Sequence, residues 1–272
     1  MQWAELTPGQ VVVATDERAW IHAPAPGDPF LEPMRGMASL ASTRNLLDGA
    51  LEAGARAVAR PEEPPLTPLR WAWRLVWQFH TTHPTAGLMR EAAERFHSLG
   101  RAEMGECCAR KAEEERGHDT LALRDLRALD YDAEALVAAC RPPGAAAIGA
   151  FFEGCARAEN PVGVFGYAYA LERFALAVGK DYVAAVEAMF PGIKATRCLR
   201  VHSAMGTDVR HVAELAAFIT RLPAADRALI AQAACRTARL MHERRPGDEP
   251  DEAELARTLD RFILEPINIL DP

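Results

Sequence analysis

The densest group of side chains able to do chemistry is Glu114-Glu115-Arg116-Gly117-His118-Asp119. Glu115 and His118 are spaced i, i+3, and Glu114 and His118 i, i+4, so on a helix either pair shares one face. A carboxylate oxygen and an imidazole nitrogen on one face can both reach a single metal ion. Glu-x-x-His is the spacing from which carboxylate-bridged iron and manganese sites are built in helix bundles. The plainer alternative is a solvated helix face, because Lys111, Glu113, Glu114, Glu115 and Arg116 crowd the same stretch.

Two further segments carry matching groups. Asp208 and His211 are again i, i+3, with His202 six residues before Asp208. An acid and an imidazole turned inward from an Ala- and Val-rich helix are costly unless paired or metal-bound; a surface Asp–His pair is the alternative. Glu172 is the only acid of GYAYALERFALAVG, a segment apolar on almost every side. Such a helix is mostly buried, and its carboxylate needs a metal or a cation as partner. A salt bridge to another helix is the competing reading there. Together, three separate segments present the carboxylate and imidazole chemistry that a two-metal site in a bundle requires.

Other candidates are weaker. Glu94 and His97 repeat the spacing beside Arg90, Glu91 and Arg95, which reads as a solvated face. His80 and His83 flank a helix end, Trp71, Trp73 and Trp77 read as core, and His22 and His242 as surface. None of the six cysteines has a base beside it in sequence, so a thiol nucleophile is unsupported.

The elements that must position these groups are helices. Alanine is about a fifth of the chain, and Leu, Arg and Glu are abundant, all good helix formers. Residues 1–36 differ: Val11-Val12-Val13 suggests a small strand or hairpin, and Ala23 to Pro29 a loop. Residues 37–60 read as an amphipathic helix, ended by Pro61-Glu62-Glu63-Pro64-Pro65. Helices are expected from Thr67-Pro68, with Thr67 as cap, through Trp71, Trp73, Trp77 and Phe79, then over 84–98, about 101–129, 132–139, 145–158, 162–178, 181–189, 194–220, 224–244 and 252 to about 264. The expected fold is all-α, with residues 1–60 as an N-terminal extension and 61–272 as the bundle.

Composition excludes several classes. The 272 residues carry a formal charge of −7, against the basic face of a nucleic-acid binder. No apolar run approaches the ~20 residues of a membrane span, and the acid-bearing start MQWAELTPGQ does not read as a secretory signal. Six scattered cysteines do not make a disulfide scaffold. A cytoplasmic protein with reduced thiols is expected, with a small-molecule substrate as partner and a homodimer left open.

The stretches EEERGHDTLALRDLRALDYD, YALERFAL and LRVHSAMGTDVRHVAEL resemble the haem-oxygenase-like diiron oxidases and oxygenases, relatives of thiaminase II and pyrroloquinoline-quinone synthase. The resemblance covers about residues 68–244. It implies a haem-oxygenase-like helical bundle whose core helices hold two Fe(II) ions, with O₂ as co-substrate. Carried over, it implies His118, Glu172, Asp208 and His211 as ligands, with Glu115 or Glu114 and His202 completing the set, and Glu172 and His118 active in catalysis. Lys111 stands where the common pattern has a further Glu, and Ala204 where it has a further His. His202 is displaced by two residues and would lie about 120° from Asp208 on a regular helix. A bulge or break, near Gly206, is needed to bring it in.

The resulting expectation is an oxidoreductase: an O₂-dependent non-haem iron oxidase or oxygenase acting on an amino-acid-like or fatty-acid-like molecule in specialised biosynthesis. Tyr167, Tyr169 and Phe174 are candidates for the pocket lining, with core packing as the alternative for each. One rival is a metal-free enzyme on the same scaffold, with the histidines acting as acid and base. The other is a non-enzymatic binding protein docking through its N-terminal segment.

Overall fold

The β-branched Val11–Val13 run and its neighbours pair as a three-stranded antiparallel sheet: β1 (Gln2–Thr7), β2 (Gln10–Ala14) and β3 (Ala19–His22), in that order. Val12 sits opposite both Ala4 and Ile21. The computed structural model describes residues 1–59, 64–203 and 208–264 of the chain.

Helices follow. They are α1 (Leu40–Arg56), α2 (Pro68–Thr82), α3 (Thr85–Ser98), α4 (Ala102–Glu114), α5 (Asp119–Ala128), α6 (Ala133–Ala139) and α7 (Pro143–Arg157). After these come α8 (Gly163–Leu176), α9 (Lys180–Met189), α10 (Arg197–Val201), α11 (Asp208–Thr220), α12 (Ala224–His242) and α13 (Glu252–Leu259). Thr67 caps α2 as its sequence suggests, its hydroxyl accepting the Arg70 amide at 3.2 Å. No single helix among the described residues is long and apolar enough to cross a membrane.

Two expected long helices are broken. The stretch 101–129 divides into α4 and α5 around Gly117, whose φ of +82° no right-handed helix contains. The stretch 194–220 divides into α10 and α11. Both breaks fall on candidate site residues.

The N-terminal segment does not stand apart from the bundle. Helix α1 packs along α12, and β1 also lies against α12. Gln2 is fully buried, donating to the Ser42 and Thr43 hydroxyls at 3.0 and 3.1 Å and accepting from Arg227 Nε at 2.8 Å. The described part of the N-terminal extension thus shares a core with the bundle helices.

The interior falls into two clusters instead. One joins the sheet with α1, α3, α4, α7, α8, α11 and α12, around Phe96, Phe152, Phe165 and Leu47. The other joins α2, α5, α6, α9, α10 and α13, around Trp71, Leu75, Leu126 and Leu136. Each fully buried Phe or Leu contributes about 1.5–3 kcal/mol relative to exposure. Close approach helps too: a Cβ on Gly166 of α8 would meet the Ile230 carbonyl of α12 at 2.2 Å. The seam between the two clusters is where the candidate site lies.

Candidate metal centre

Where α4 ends, Glu115 still donates its amide to the Lys111 carbonyl at 3.0 Å. The chain then turns through Arg116 and Gly117, and His118 leads into α5, its amide bonded to the Glu115 carbonyl at 3.2 Å. Glu115 and His118 are thus brought together by a tight turn, not by a shared helix face. His118 Nδ1 lies 3.1 Å from Glu115 Oε2.

His202 arrives from the other side. It follows the last residue of α10 with a non-helical backbone (φ −96°, ψ 62°). The helix thus breaks at His202 itself; Gly206, where the sequence suggests a break, lies outside the described residues. Its ring stands edge-on to that of His118, centroids 4.9 Å apart. Asp125 of α5, fully buried, holds this segment: its Oδ2 accepts the Cys198 amide at 2.9 Å and its Oδ1 the Arg197 guanidinium at 3.0 Å.

Glu115, His118 and His202 can each offer one ligand atom, all within 4.8 Å of one another, and they are the group of this kind among the described residues. His202 Nε2 is buried with no hydrogen-bond partner among them. Such an orphan costs about 1–3 kcal/mol unless something binds it. Burial raises the Glu115 carboxyl, but the His118 hydrogen bond and the electrostatic pull of the neighbouring imidazoles and of Lys111 outweigh it and leave it below its ordinary value. Burial holds the His202 imidazole below its ordinary value, keeping it neutral. A deprotonated carboxylate and a neutral imidazole are the forms that ligate a metal. The residues present therefore fit one ion.

Among the described residues no second group of the same kind is assembled. Glu172 of α8 lines the cavity described below, but its Oε1 lies 2.5 Å from Lys111 Nζ, an ion pair to another helix. Lys111 Nζ is also 3.2 Å from Glu114 Oε2, and that oxygen is 3.9 Å from His211 Nε2. Glu114, Glu172 and His211 are thus gathered around an ammonium. Ala204 and the Asp208 side chain lie outside the described residues.

Beside this cluster is a cavity of about 220 Å³, lined from both cores. Trp77, Met89, Leu171, Phe174, Leu199 and Met241 form its apolar walls, and Glu115, Glu172 and His202 one end. Besides His202 Nε2, the Tyr167 hydroxyl and Gln78 Oε1 in its lining have no hydrogen-bond partner among the described residues. Tyr167 is stacked on Phe152 with ring centroids 3.9 Å apart. The sequence suggests Tyr167 and Phe174 for the lining; nothing in it singles out Gln78. Tyr169, the third candidate, donates instead to Asp48 at 2.9 Å, beside the Arg173–Asp48 ion pair.

The remaining candidates have ordinary partners. His80 bonds the Cys140 carbonyl at 2.8 Å, His83 pairs with Asp119 at 2.7 Å, and Glu94 and His97 are exposed. Burial raises all six cysteine thiols, Cys155 to about 11, so none is primed as a nucleophile.

No protein-family model and no curated protein matches this chain. Among solved structures it is similar to a domain of unknown function with a haem-oxygenase-like fold from Shewanella denitrificans OS217. The two share 18% sequence identity with a TM-score of 0.53, over 73% of this chain and 85% of that one. At that identity the likeness concerns architecture, and it agrees with the helices described above. The chain has a haem-oxygenase-like fold.

Proposed function

We propose that the protein is an O₂-dependent non-haem iron oxidase or oxygenase acting on a small, largely apolar substrate. The observation that carries this is the convergence of one carboxylate and two imidazoles, Glu115, His118 and His202, at the end of an apolar cavity. Two histidines and one carboxylate are the donor set of non-haem Fe(II) oxygenases, which leave coordination positions open. When bound, iron(II) would supply the O₂ binding and one-electron chemistry that these side chains lack.

The chain's own residues do the rest. Glu115 stays ionised and His202 neutral at pH 7, ready to ligate. The walls of Trp77, Leu171, Phe174 and Met241 exclude water from the reacting end. Gln78 Oε1 can accept from a substrate N–H or O–H, and the Tyr167 hydroxyl can donate to a substrate oxygen or nitrogen. At about 220 Å³ the cavity is below the ~300–1,000 Å³ of drug-sized sites, which favours a small molecule of amino-acid-like or short fatty-acid-like size.

Anaerobic loading with Fe(II), desalting and metal analysis test the reading. At least one iron per chain is expected, lost in His202→Ala, with an absorbance change when O₂ is admitted. No bound iron and no response to O₂ would overturn it in favour of a metal-free enzyme on the same scaffold, in which Lys111 neutralises Glu172.

A further inference from the structure

The second group of ligand-type side chains is already occupied by a cation belonging to the protein. Lys111 is 7% exposed, and lysine is almost never buried unless paired. Its ammonium lies 2.5 Å from Glu172 Oε1 and 3.2 Å from Glu114 Oε2, with His211 behind Glu114 at 3.9 Å. The ammonium's two partners come from α8 and from its own helix α4, and His211 of α11 meets Glu114 in turn.

We propose that Lys111 is a built-in substitute for a second metal ion, so that the chain holds one divalent ion, at Glu115, His118 and His202, and excludes another from Glu114, Glu172 and His211. The inference rests on the metal reading above and adds the count and its cause. Charge supports it: among the described side chains, the three carboxylates Glu114, Glu115 and Glu172 are balanced by Lys111 and one divalent ion. A second divalent ion would share the same carboxylates with the ammonium, and at such distances in a buried site like charges repel strongly. The donor set points the same way. Two imidazoles and one carboxylate are complete for a mononuclear centre without help from Glu172.

The test is an anaerobic titration of the full chain with Mn(II), following bound ions per chain by equilibrium dialysis and their spin coupling by electron paramagnetic resonance. The wild type is expected to bind one ion, magnetically isolated. Lys111→Glu is expected to bind two, with a coupled signal, while Lys111→Arg, which keeps the charge, stays at one. His211→Ala is expected to change the affinity of the single ion by less than about threefold. Two ions in the wild type, or one ion still in a folded Lys111→Glu, would overturn the inference while leaving the metal reading standing. No ion in the wild type would instead sink the metal reading itself. The wild-type count stands whether or not the variants fold.

Discussion

His118 and His202 stand edge to face, their ring centroids 4.9 Å apart and their planes at 78°, one closing the turn after α4 and the other closing α10. Neither ring sits on a regular helix, and both face Glu115. Replacing either histidine by alanine should lower Fe(II) or Co(II) affinity at least about 100-fold, since even outer partners of metal ligands are worth 10–100-fold. Competition against a chromophoric chelator reads this directly, and circular dichroism should show the helices unchanged.

Asp125 supports the site from behind. It is fully buried and accepts from the Cys198 amide and Arg197, holding α10 in the position that delivers His202. Asp125→Ala leaves the buried Cys198 N–H without its acceptor, at about 1–3 kcal/mol, and removes the Arg197 ion pair. Asp125→Asn keeps one acceptor and should lose less. Urea denaturation and metal affinity should fall together across the pair; a variant that loses stability and keeps wild-type metal affinity would show that α10 is positioned by other contacts.

The buried imidazoles set the acid limit of stability. Burial holds His80, His202 and His211 below their ordinary value in the folded chain. Unfolded, they titrate near ~6.5. Above that pH both states are neutral and the groups contribute nothing to a pH dependence. Below it the unfolded chain binds protons first, so stability falls as pH drops through the interval beneath ~6.5. Denaturation midpoints of the metal-free protein should be close at pH 7.5 and 6.5 and lower at pH 5.5, and His80→Gln should flatten part of that fall. A midpoint independent of pH over that range would contradict the burial of these rings.

Helix α8 carries Glu172 and Tyr167 to the cavity, and its approach to α12 depends on Gly166. A methyl there would meet the Ile230 carbonyl at 2.2 Å and the Ala234 amide nitrogen at 2.8 Å. Backbone on the facing helix cannot step aside as a side chain can. Gly166→Ala should therefore destabilise the protein by about 1–3 kcal/mol through overpacking, read as a lowered thermal midpoint. Gly154 is the control: a methyl there would meet nothing within 4 Å, and alanine should be tolerated.

Tyr167 separates a binding role from a packing role. Its ring is stacked on Phe152, while its hydroxyl has no partner among the described residues, and burial pushes its ionisation well above the ordinary value. Tyr167→Phe keeps the stack and removes an unsatisfied group, so stability should be unchanged or up to about 1 kcal/mol higher. If the hydroxyl serves the substrate, turnover or ligand binding should fall in the same variant. A fall in stability would mean that the hydroxyl has a partner in the folded chain.

Much of the helical framework is legible in the sequence because periodicity and punctuation are local. Thr67-Pro68, Asp132 and Pro223 mark helix starts by what they do to their own backbone, and α2, α6 and α12 begin there. The pairing of Glu115 with His118 is legible too, though for another reason than the one that holds. Residues three apart meet in a tight turn as readily as on a helix, and Gly117, the residue that makes the turn, looks in sequence like part of a continuous helix.

The amino-acid order sets the supply of donors: an acid in an apolar helix at Glu172, acid and imidazole near residue 115, and histidines at 202 and 211. Packing between helices selects which of them meet. Lys111 of α4 meets Glu172 of α8 across the interior, with Glu114 joining from one turn on along α4 itself, and His202 reaches Glu115 because Asp125 anchors α10 and the chain leaves the helix there. Partner choice among buried charges is settled by distances between helices far apart in the chain, and no periodicity within one helix encodes those distances.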